Sequence, residues 1–311
     1  MKKRIYIDGQ SGTTGLQIYD RIGAREDLEL LRIDEDKRHD PEERKKFLNS
    51  ADIVFLCLPD AGAIEAVSLI ENPEVRVIDA STAHRTAPGW VYGFPELSKE
   101  QRQAIREGKR IANPGCHATG LISVTAPLVR MGILPADYPV TCFSLTGYSG
   151  GGKKMIADYE AEGRAEKLSS PGIYGLTLKH KHVPEMTKMT GLTQAPVFLP
   201  VVDDYYKGMA GTIMLQNRLL KGQPDAETIC AKLQEYYAEE HFVKVLPFEA
   251  ARPTIYANTL AGTNRLEIAV CGNKEQTTVT ALFDNLGKGA SGAAVQNMNI
   301  MLGLEEGLGL E

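Results

Sequence analysis

The chain has 311 residues, 43% hydrophobic and 24% charged, with a formal net charge of −5. That length suggests two domains, and the acidic balance leaves no basic footprint for nucleic acid and no polybasic patch for a membrane. No apolar run approaches the roughly 18 residues of a membrane span, and the opening Lys2-Lys3-Arg4 stub lacks the apolar stretch and cleavage site of a signal peptide. Five widely spaced cysteines without a CxxC pair argue against zinc and against a disulfide framework, and fit a reducing cytoplasm.

The first third alternates strand and helix signals. Strands are expected at residues 5–8, 28–33, 52–58 and 75–79, with helices at 14–22, 42–48 and 61–70. Short buried strands separated by helices predict a parallel sheet covered on both faces, a doubly wound α/β arrangement. From about Val140 the strands become longer and more alternating, at 140–146, 210–216 and 265–271, with helices near 153–166 and 225–239. This second region reads as α+β with a mostly antiparallel sheet. A last helix is expected over 290–302, behind a Gly-rich loop.

Residues 9–15 read Gly-Gln-Ser-Gly-Thr-Thr-Gly, between a strand and a helix. Gly9, Gly12 and Gly15 allow a tight turn and close approach of a pyrophosphate to a helix N-terminus, and Ser11, Thr13 and Thr14 add hydroxyl donors. The alternative is a strand–helix turn without a ligand. Asp34, at the end of the second strand, is placed to bind a ribose 2′-hydroxyl, whereas Lys37 and Arg38 suit a 2′-phosphate, so the residues alone leave NAD and NADP open.

Asn113-Pro-Gly-Cys116 follows a short strand and precedes a helix expected over 118–129. At a helix N-terminus, free N–H groups favour a thiolate and can stabilise an oxyanion; the other reading is a buried cysteine filling a tight turn. Cys57, Cys142, Cys230 and Cys271 lie inside strand or helix patterns and read as structural. Residues 180–186 are His-Lys-His-Val-Pro-Glu-Met. His180 and His182 share a face of an extended segment, and Pro184 suits the start of a short helix. His182 with Glu185 fits an acid–base group and its orienting carboxylate. Two histidines without a third ligand argue against a metal.

Together, the GxxGxxG of residues 9–15, Asn113-Pro-Gly-Cys-His-Ala-Thr119 and the HxHxPE of residues 180–185 resemble the N-acetyl-γ-glutamyl-phosphate reductase family, in its shorter subgroup. Asp79-Ala-Ser-Thr-Ala-His-Arg85, Gly147-Tyr-Ser-Gly-Gly-Gly-Lys153 and Asp284-Asn-Leu-Gly-Lys-Gly-Ala-Ser-Gly292 also match its pattern, with Gly-Gly-Lys where Ala-Gly-Arg is more usual. The resemblance implies a Rossmann-type domain of residues 1–115 completed by 290–311, and a catalytic and oligomerisation domain of residues 116–289. It implies NADP, held by the glycine loop and by Asn285, Gly287, Lys288 and Gly289, with Arg38 as a 2′-phosphate contact. It implies a thioester on Cys116, His182 as the acid–base group with Glu185, and an anionic acyl phosphate met by His180, Arg85, Ser81, Ser149 and Lys153. A cytoplasmic homo-oligomer, dimer or tetramer, is expected. Aspartate-semialdehyde dehydrogenase, with the same domain and cysteine chemistry, is the nearest rival; a non-catalytic dinucleotide sensor is a rival of another class.

Overall fold

A computed structural model describes residues 2–310. The chain forms two units, residues 1–114 with 290–311, and residues 115–289.

The first unit opens with β1 (Lys3–Asp8), α1 (Thr13–Ile22), β2 (Leu28–Leu31), α2 (Pro41–Ser50), β3 (Ile53–Leu56), α3 (Asp60–Ser68) and β4 (Arg76–Asp79). It continues through β5 (Val91–Tyr92), α4 (Lys99–Glu107) and β6 (Arg110–Ala112), and closes with the C-terminal helix Gly292–Leu302. All six strands are parallel, in the order β2-β1-β3-β4-β6-β5. β3 is buried along its whole length, the mark of a central strand covered on both faces.

The C-terminal helix is held to this unit by polar groups as much as by apolar ones. Gln296, Asn297 and Asn299 are fully buried. Gln296 donates to Glu96 (2.7 Å) and Glu306 (2.6 Å), Asn297 to the Gly93 carbonyl (2.9 Å), and Asn299 accepts from Arg25 (2.7 Å). Arg76, at the start of β4, donates to the carbonyls of Arg106 (2.6 Å) and Gly108 (2.9 Å) behind α4, and to Met301 at the end of the C-terminal helix. One guanidinium thus satisfies the open carbonyls of two helix ends.

The second unit contains α5 (Cys116–Arg130), β7 (Thr141–Gly147), α6 (Gly152–Glu160), β8 (Gly172–Ile173), α7 (Val183–Thr190), β9 (Val197–Asp203), β10 (Met209–Gln216), α8 (Ala226–Tyr236), β11 (Val243–Val245), β12 (Leu266–Gly272) and β13 (Gln276–Phe283). Its sheet runs β11-β12-β13-β10-β7-β9-β8, antiparallel except for the pairs β11–β12 and β7–β9. α5 packs on β10 and β13, and α8 on β12. The approach of α5 to the sheet is close. A Cβ on Gly120 would lie 3.2 Å from Phe283 and 3.8 Å from the Gly211 Cα.

Pro127 sits inside α5 and has no N–H to give the Ser123 carbonyl. The Tyr237 hydroxyl donates to that carbonyl instead, at 2.7 Å. The helix expected over 153–166 ends at Glu160, with the Ala161 backbone extended and Gly163 left-handed at φ +70°. Gly163 is the residue that tolerates this reversal, and the longer helix would have required it in a helical interior.

Replacing Arg76 with Met should lower the stability of the first unit by about 2 kcal/mol or more, since it leaves several helix-end carbonyls without their charged donor. Urea unfolding checks this; an unchanged midpoint would show that water satisfies those carbonyls equally well.

Candidate active site

In the first unit, the glycine turn lies at the carboxyl end of β1. Gly9 is left-handed at φ +86°, and a Cβ there would come 2.4 Å from the Cys57 carbonyl. A Cβ on Gly15 would come 2.6 Å from the Gly9 carbonyl. Gly12 precedes α1 without any side-chain cap, and the first turn of α1 carries no acid. Ser11 is exposed, and Thr13 and Thr14 are half-buried. An uncapped helix start behind a close glycine turn, with hydroxyls beside it, fits the pyrophosphate of a dinucleotide.

Beyond β2 the charges are mixed. Lys37 pairs with Asp34 at 3.7 Å and Arg38 with Glu35 at 3.2 Å, all on exposed side chains. Arg32, which the sequence reading did not single out, lies with its guanidinium 5.0 Å from the Tyr19 ring centroid. At the end of β1, Asp8 is buried against Arg44 (2.9 Å), and burial raises its carboxyl pKa in spite of that cation.

Around the end of β4, Asp79 is fully buried. It accepts from the Ser81 hydroxyl (2.7 Å) and lies 2.6 Å from His84 Nδ1; His84 in turn stacks on Trp90, 4.1 Å between ring centroids. Arg85 is buried and donates to the carbonyls of Asn113 (3.0 Å) and Ala80 (3.1 Å), just past β6 and β4.

In the second unit, Cys116 is the first residue of α5, with extended Gly115 as its cap and no side-chain cap. From Gly115 to Leu128 every residue is buried except Cys116, which is half-buried. The helix therefore starts two residues before the expected Ala118, so that the cysteine lies within the first turn. α7 packs against α5. Glu185, 1% exposed in α7, accepts the Gly115 N–H at 3.1 Å. Expected from the sequence to orient His182, this carboxylate anchors the residue immediately before the cysteine.

Three of the other cysteines are poorly suited to act as thiolates. Burial, with Asp79 and Asp8 nearby, pushes the Cys57 thiol well up; burial pushes Cys142 up to about 12 and raises Cys230. Cys271 is half-buried in β12.

Three histidines gather behind Cys116. His182 caps α7 and is buried, and its N–H donates to His180 Nδ1 at 3.1 Å. Ring centroids lie 4.7 Å apart for His180 and His182, 5.5 Å for His117 and His180, and 5.9 Å for His117 and His182. His117 was not singled out from the sequence beyond its position next to the cysteine. It is bonded on both sides, Nδ1 2.8 Å from Ser144 Oγ and Nε2 2.7 Å from Tyr174 Oη. Burial, helped by His180 and Lys181, pushes its pKa down to about 3. Among the described residues no three His, Cys, Asp or Glu side chains are grouped to hold a metal ion.

The remaining candidates are spread over the second unit. Ser149 is buried and accepts from Asn285 Nδ2 at 3.0 Å, while Asn285 Oδ1 accepts the Gly208 N–H at 2.8 Å. Lys153 is exposed on α6. Lys288 is buried, its ammonium 5.8 Å from the Phe242 ring. Gly287 packs so closely that a Cβ would come 2.2 Å from the Thr263 carbonyl. Gly289 faces the cysteine, and a Cβ there would lie 3.0 Å from Cys116 Cβ.

His117 gives the fold a pH dependence of known sign. Its imidazole takes a proton near 6.5 when unfolded and near 3 when buried. Between those values the unfolded chain binds more protons, so stability falls as pH drops through that window, by up to about 1.4 kcal/mol per pH unit. Unfolding of His117→Gln should lack that part of the slope; equal slopes would contradict the burial of a neutral ring.

Family models match both units. Residues 11–105 match the semialdehyde dehydrogenase NAD binding domain and residues 116–285 the semialdehyde dehydrogenase dimerisation domain. The solved aspartate semialdehyde dehydrogenase of Francisella tularensis is 14% identical with a TM-score of 0.72, covering 97% of this chain and 100% of its own. The Vibrio cholerae aspartate semialdehyde dehydrogenase II is 15% identical with a TM-score of 0.71, covering 97% and 98%. At that identity these likenesses show the shared fold. Among curated proteins, N-acetyl-γ-glutamyl-phosphate reductase 2 of Pseudomonas putida is 50% identical over 303 residues, 96% of each chain. The N-acetyl-γ-glutamyl-phosphate reductase of Chelativorans sp. is 49% identical over 308 residues, 97% of this chain and 99% of its own. With a nicotinamide-cofactor domain, a cysteine at the head of a buried helix and half its residues shared along nearly the whole length, the chain belongs to the N-acetyl-γ-glutamyl-phosphate reductase family.

Proposed function

We propose that this chain reduces N-acetyl-L-glutamyl 5-phosphate to N-acetyl-L-glutamate 5-semialdehyde, releasing phosphate, as a step of arginine biosynthesis in the cytoplasm. The observation that carries this reading is the half-buried Cys116 in the first turn of α5, in a chain so similar to curated enzymes of that name.

Cys116 attacks the acyl carbon as a thiolate. N–H groups of the first turn of α5 meet the developing oxyanion, which no side-chain cap competes for. The carbon–oxygen bond to phosphate breaks, phosphate leaves with the electron pair, and a thioester on Cys116 remains. The nicotinamide cofactor, when bound, supplies the hydride that reduces this carbonyl carbon. The carbon–sulfur bond then breaks, the aldehyde departs and the thiolate returns. His182 takes up the thiol proton and manages proton transfer at the tetrahedral stage, with Glu185 as its partner and as the anchor of Gly115. His180 contacts the substrate. Arg85, steadied by two backbone carbonyls, suits a fixed carboxylate or phosphate contact, with Ser81, Ser149 and Lys153 as further donors.

NADP is the cofactor in this reading. Gly9, Ser11, Gly12, Thr13, Thr14 and Gly15 hold its pyrophosphate. Arg38 meets the 2′-phosphate in competition with Glu35, and Asp34 is neutralised by Lys37. Asn285, Gly287, Lys288 and Gly289 contribute as a loop, Asn285 and Lys288 by shaping it from buried positions. The register of the second sheet puts Ile173, Val197, Phe143 and Met214 on one exposed face. A second copy covering that face gives a dimer or a tetramer.

The wild type should oxidise N-acetylglutamate semialdehyde in the presence of phosphate, faster with NADP than with NAD, and Cys116→Ser should lose turnover by at least about a thousandfold. Preference for aspartate semialdehyde in the same absorbance assay would move the chain to the rival activity. Gly289→Ala should cost about tenfold in kcat, because the new methyl displaces the cysteine by a few tenths of an ångström; unchanged kcat would show that the sulfur has room. The pair Phe143→Glu and Met214→Glu should shift the particle mass to that of a monomer in light scattering, and an unchanged mass would move the interface elsewhere.

A further inference from the structure

We propose that Asp284 is a positioning residue for this reaction: its buried carboxylate sets the turn of residues 285–289 so that Gly289 lies against the Cys116 side chain and limits where that side chain can go. The inference rests on the reading of Cys116 as the nucleophile.

The turn begins where β13 ends, at Phe283, and from there to Gly289 every residue is buried. Asp284 is 1% exposed. Its Oδ1 accepts the N–H groups of Leu286 (2.7 Å) and Gly287 (3.0 Å), inside the turn itself. Its Oδ2 accepts the Gly262 N–H from a separate loop, and the Lys207 ammonium stands 3.7 Å away. Among the described residues Lys207 is the one cation paired with it. A buried carboxylate is costly unless its lone pairs are met, and its two oxygens offer about four acceptor sites where the oxygen of an amide offers about two. Asp284 uses that capacity to join the turn to the Gly262 loop.

The backbone then closes a wider ring than an α-helix does. The Gly289 N–H donates to the Asp284 carbonyl, five residues back, at 2.9 Å. A π-type turn of this kind is rare, and here its neighbours hold it in place. Asn285 ties it to the Gly208 N–H and to Ser149. Gly287 is pressed on the Thr263 carbonyl, where a Cβ would come within 2.2 Å. The last residue meets the cysteine. A Cβ on Gly289 would lie 3.0 Å from Cys116 Cβ, 3.1 Å from the Asp284 carbonyl oxygen and 3.2 Å from the Phe283 ring.

Gly289 thus has no slack on either side. If the turn relaxes outward, space opens beside Cys116; if volume is added, the cysteine must give way. Cys116 is the first residue of α5, on an otherwise buried stretch, so its side chain is the part that moves. A nucleophile spread over several rotamers spends less time in the geometry of attack. Asp284 narrows that spread through Gly289.

The test sets the rate of Cys116 alkylation by iodoacetamide at neutral pH, read by mass spectrometry on its peptide, beside kcat for phosphate-dependent oxidation of N-acetylglutamate semialdehyde. Cys142, buried in β7 of the same unit, is the internal control for general loosening. Asp284→Ala should release the turn, so that Cys116 alkylates about threefold faster while kcat falls about tenfold and the Cys142 peptide stays protected. Asp284→Asn, which keeps an acceptor for the Leu286 and Gly287 N–H groups, should recover part of both changes. Gly289→Ala, which adds volume at the same contact, should slow the alkylation instead. Should Asp284→Ala fail to fold, Lys207→Met removes the cation from the carboxylate and should give the same two changes at smaller size; wild-type values there would overturn the proposal. So would wild-type alkylation in Asp284→Ala, or labelling of Cys142 that rises as much as that of Cys116. If alkylation of Cys116 left turnover intact, the nucleophile reading itself would fall, and this one with it; inactivation by alkylation with unchanged rates in the variants would overturn the Asp284 role alone.

Discussion

The site in the second unit depends on where one helix begins. α5 starts at Cys116, and the hydrogen bond from the Gly115 N–H to buried Glu185 holds the residue immediately before it. A helix start leaves its first N–H groups open. Here the cap residue, Gly115, makes no side-chain cap and the first turn carries no acid of its own, a start whose dipole favours an anion. The far side of the same helix explains why this start cannot drift. Gly120 lets the helix lie against Gly211 and Phe283, and Tyr237 answers the carbonyl that Pro127 leaves open. The cysteine is thus carried on a rigid buried element, while the groups that would act on it come from α7 and from the loop before it.

The first unit meets a different demand. A dinucleotide is bound largely through backbone and dipole, so the decisive feature is what is missing: a Cβ at Gly9 and Gly15, and a cap on α1. Side chains do their share around that turn. Asp8, Arg44 and Glu65 brace the end of β1, and Arg76 ties β4 to two helix ends. Asp8 and Arg44 are buried charges with partners, costly to leave alone and therefore strong constraints on how the turn can move.

Much of this was legible in the sequence where local chemistry is strong. The alternation of short apolar runs with helical stretches gave the parallel sheet, and the longer alternating strands gave the mixed one. Asn113-Pro-Gly marked the turn, although the helix starts earlier than its first periodic residue because Cys116 and His117 look like loop residues. The two-residue strands β5 and β8 carry no period and were not visible. α4 was missed despite a usable signal, Ser98 three residues before Gln101 and buried Ile105 on its inner face. The buried amides of the C-terminal helix would pass for surface residues, since their partners are Glu96, Gly93 and Arg25, far away in sequence. His117 was hidden for the same reason: Ser144 and Tyr174 are 27 and 57 residues away. Only the inward alternation of β7 hints at Ser144. Long-range pairing of polar groups was the part that a linear reading could not supply.

The central claim is that Cys116 carries the acyl group. The most direct test mixes the protein with N-acetylglutamyl phosphate in the absence of a reduced cofactor, quenches in acid and maps the adduct by mass spectrometry. The account predicts one N-acetylglutamyl group per chain on the Cys116 peptide, with an equal amount of phosphate released, and loss of the adduct when NADPH is added before the quench. An acyl group on another residue, or turnover without any adduct on rapid quenching, would contradict it.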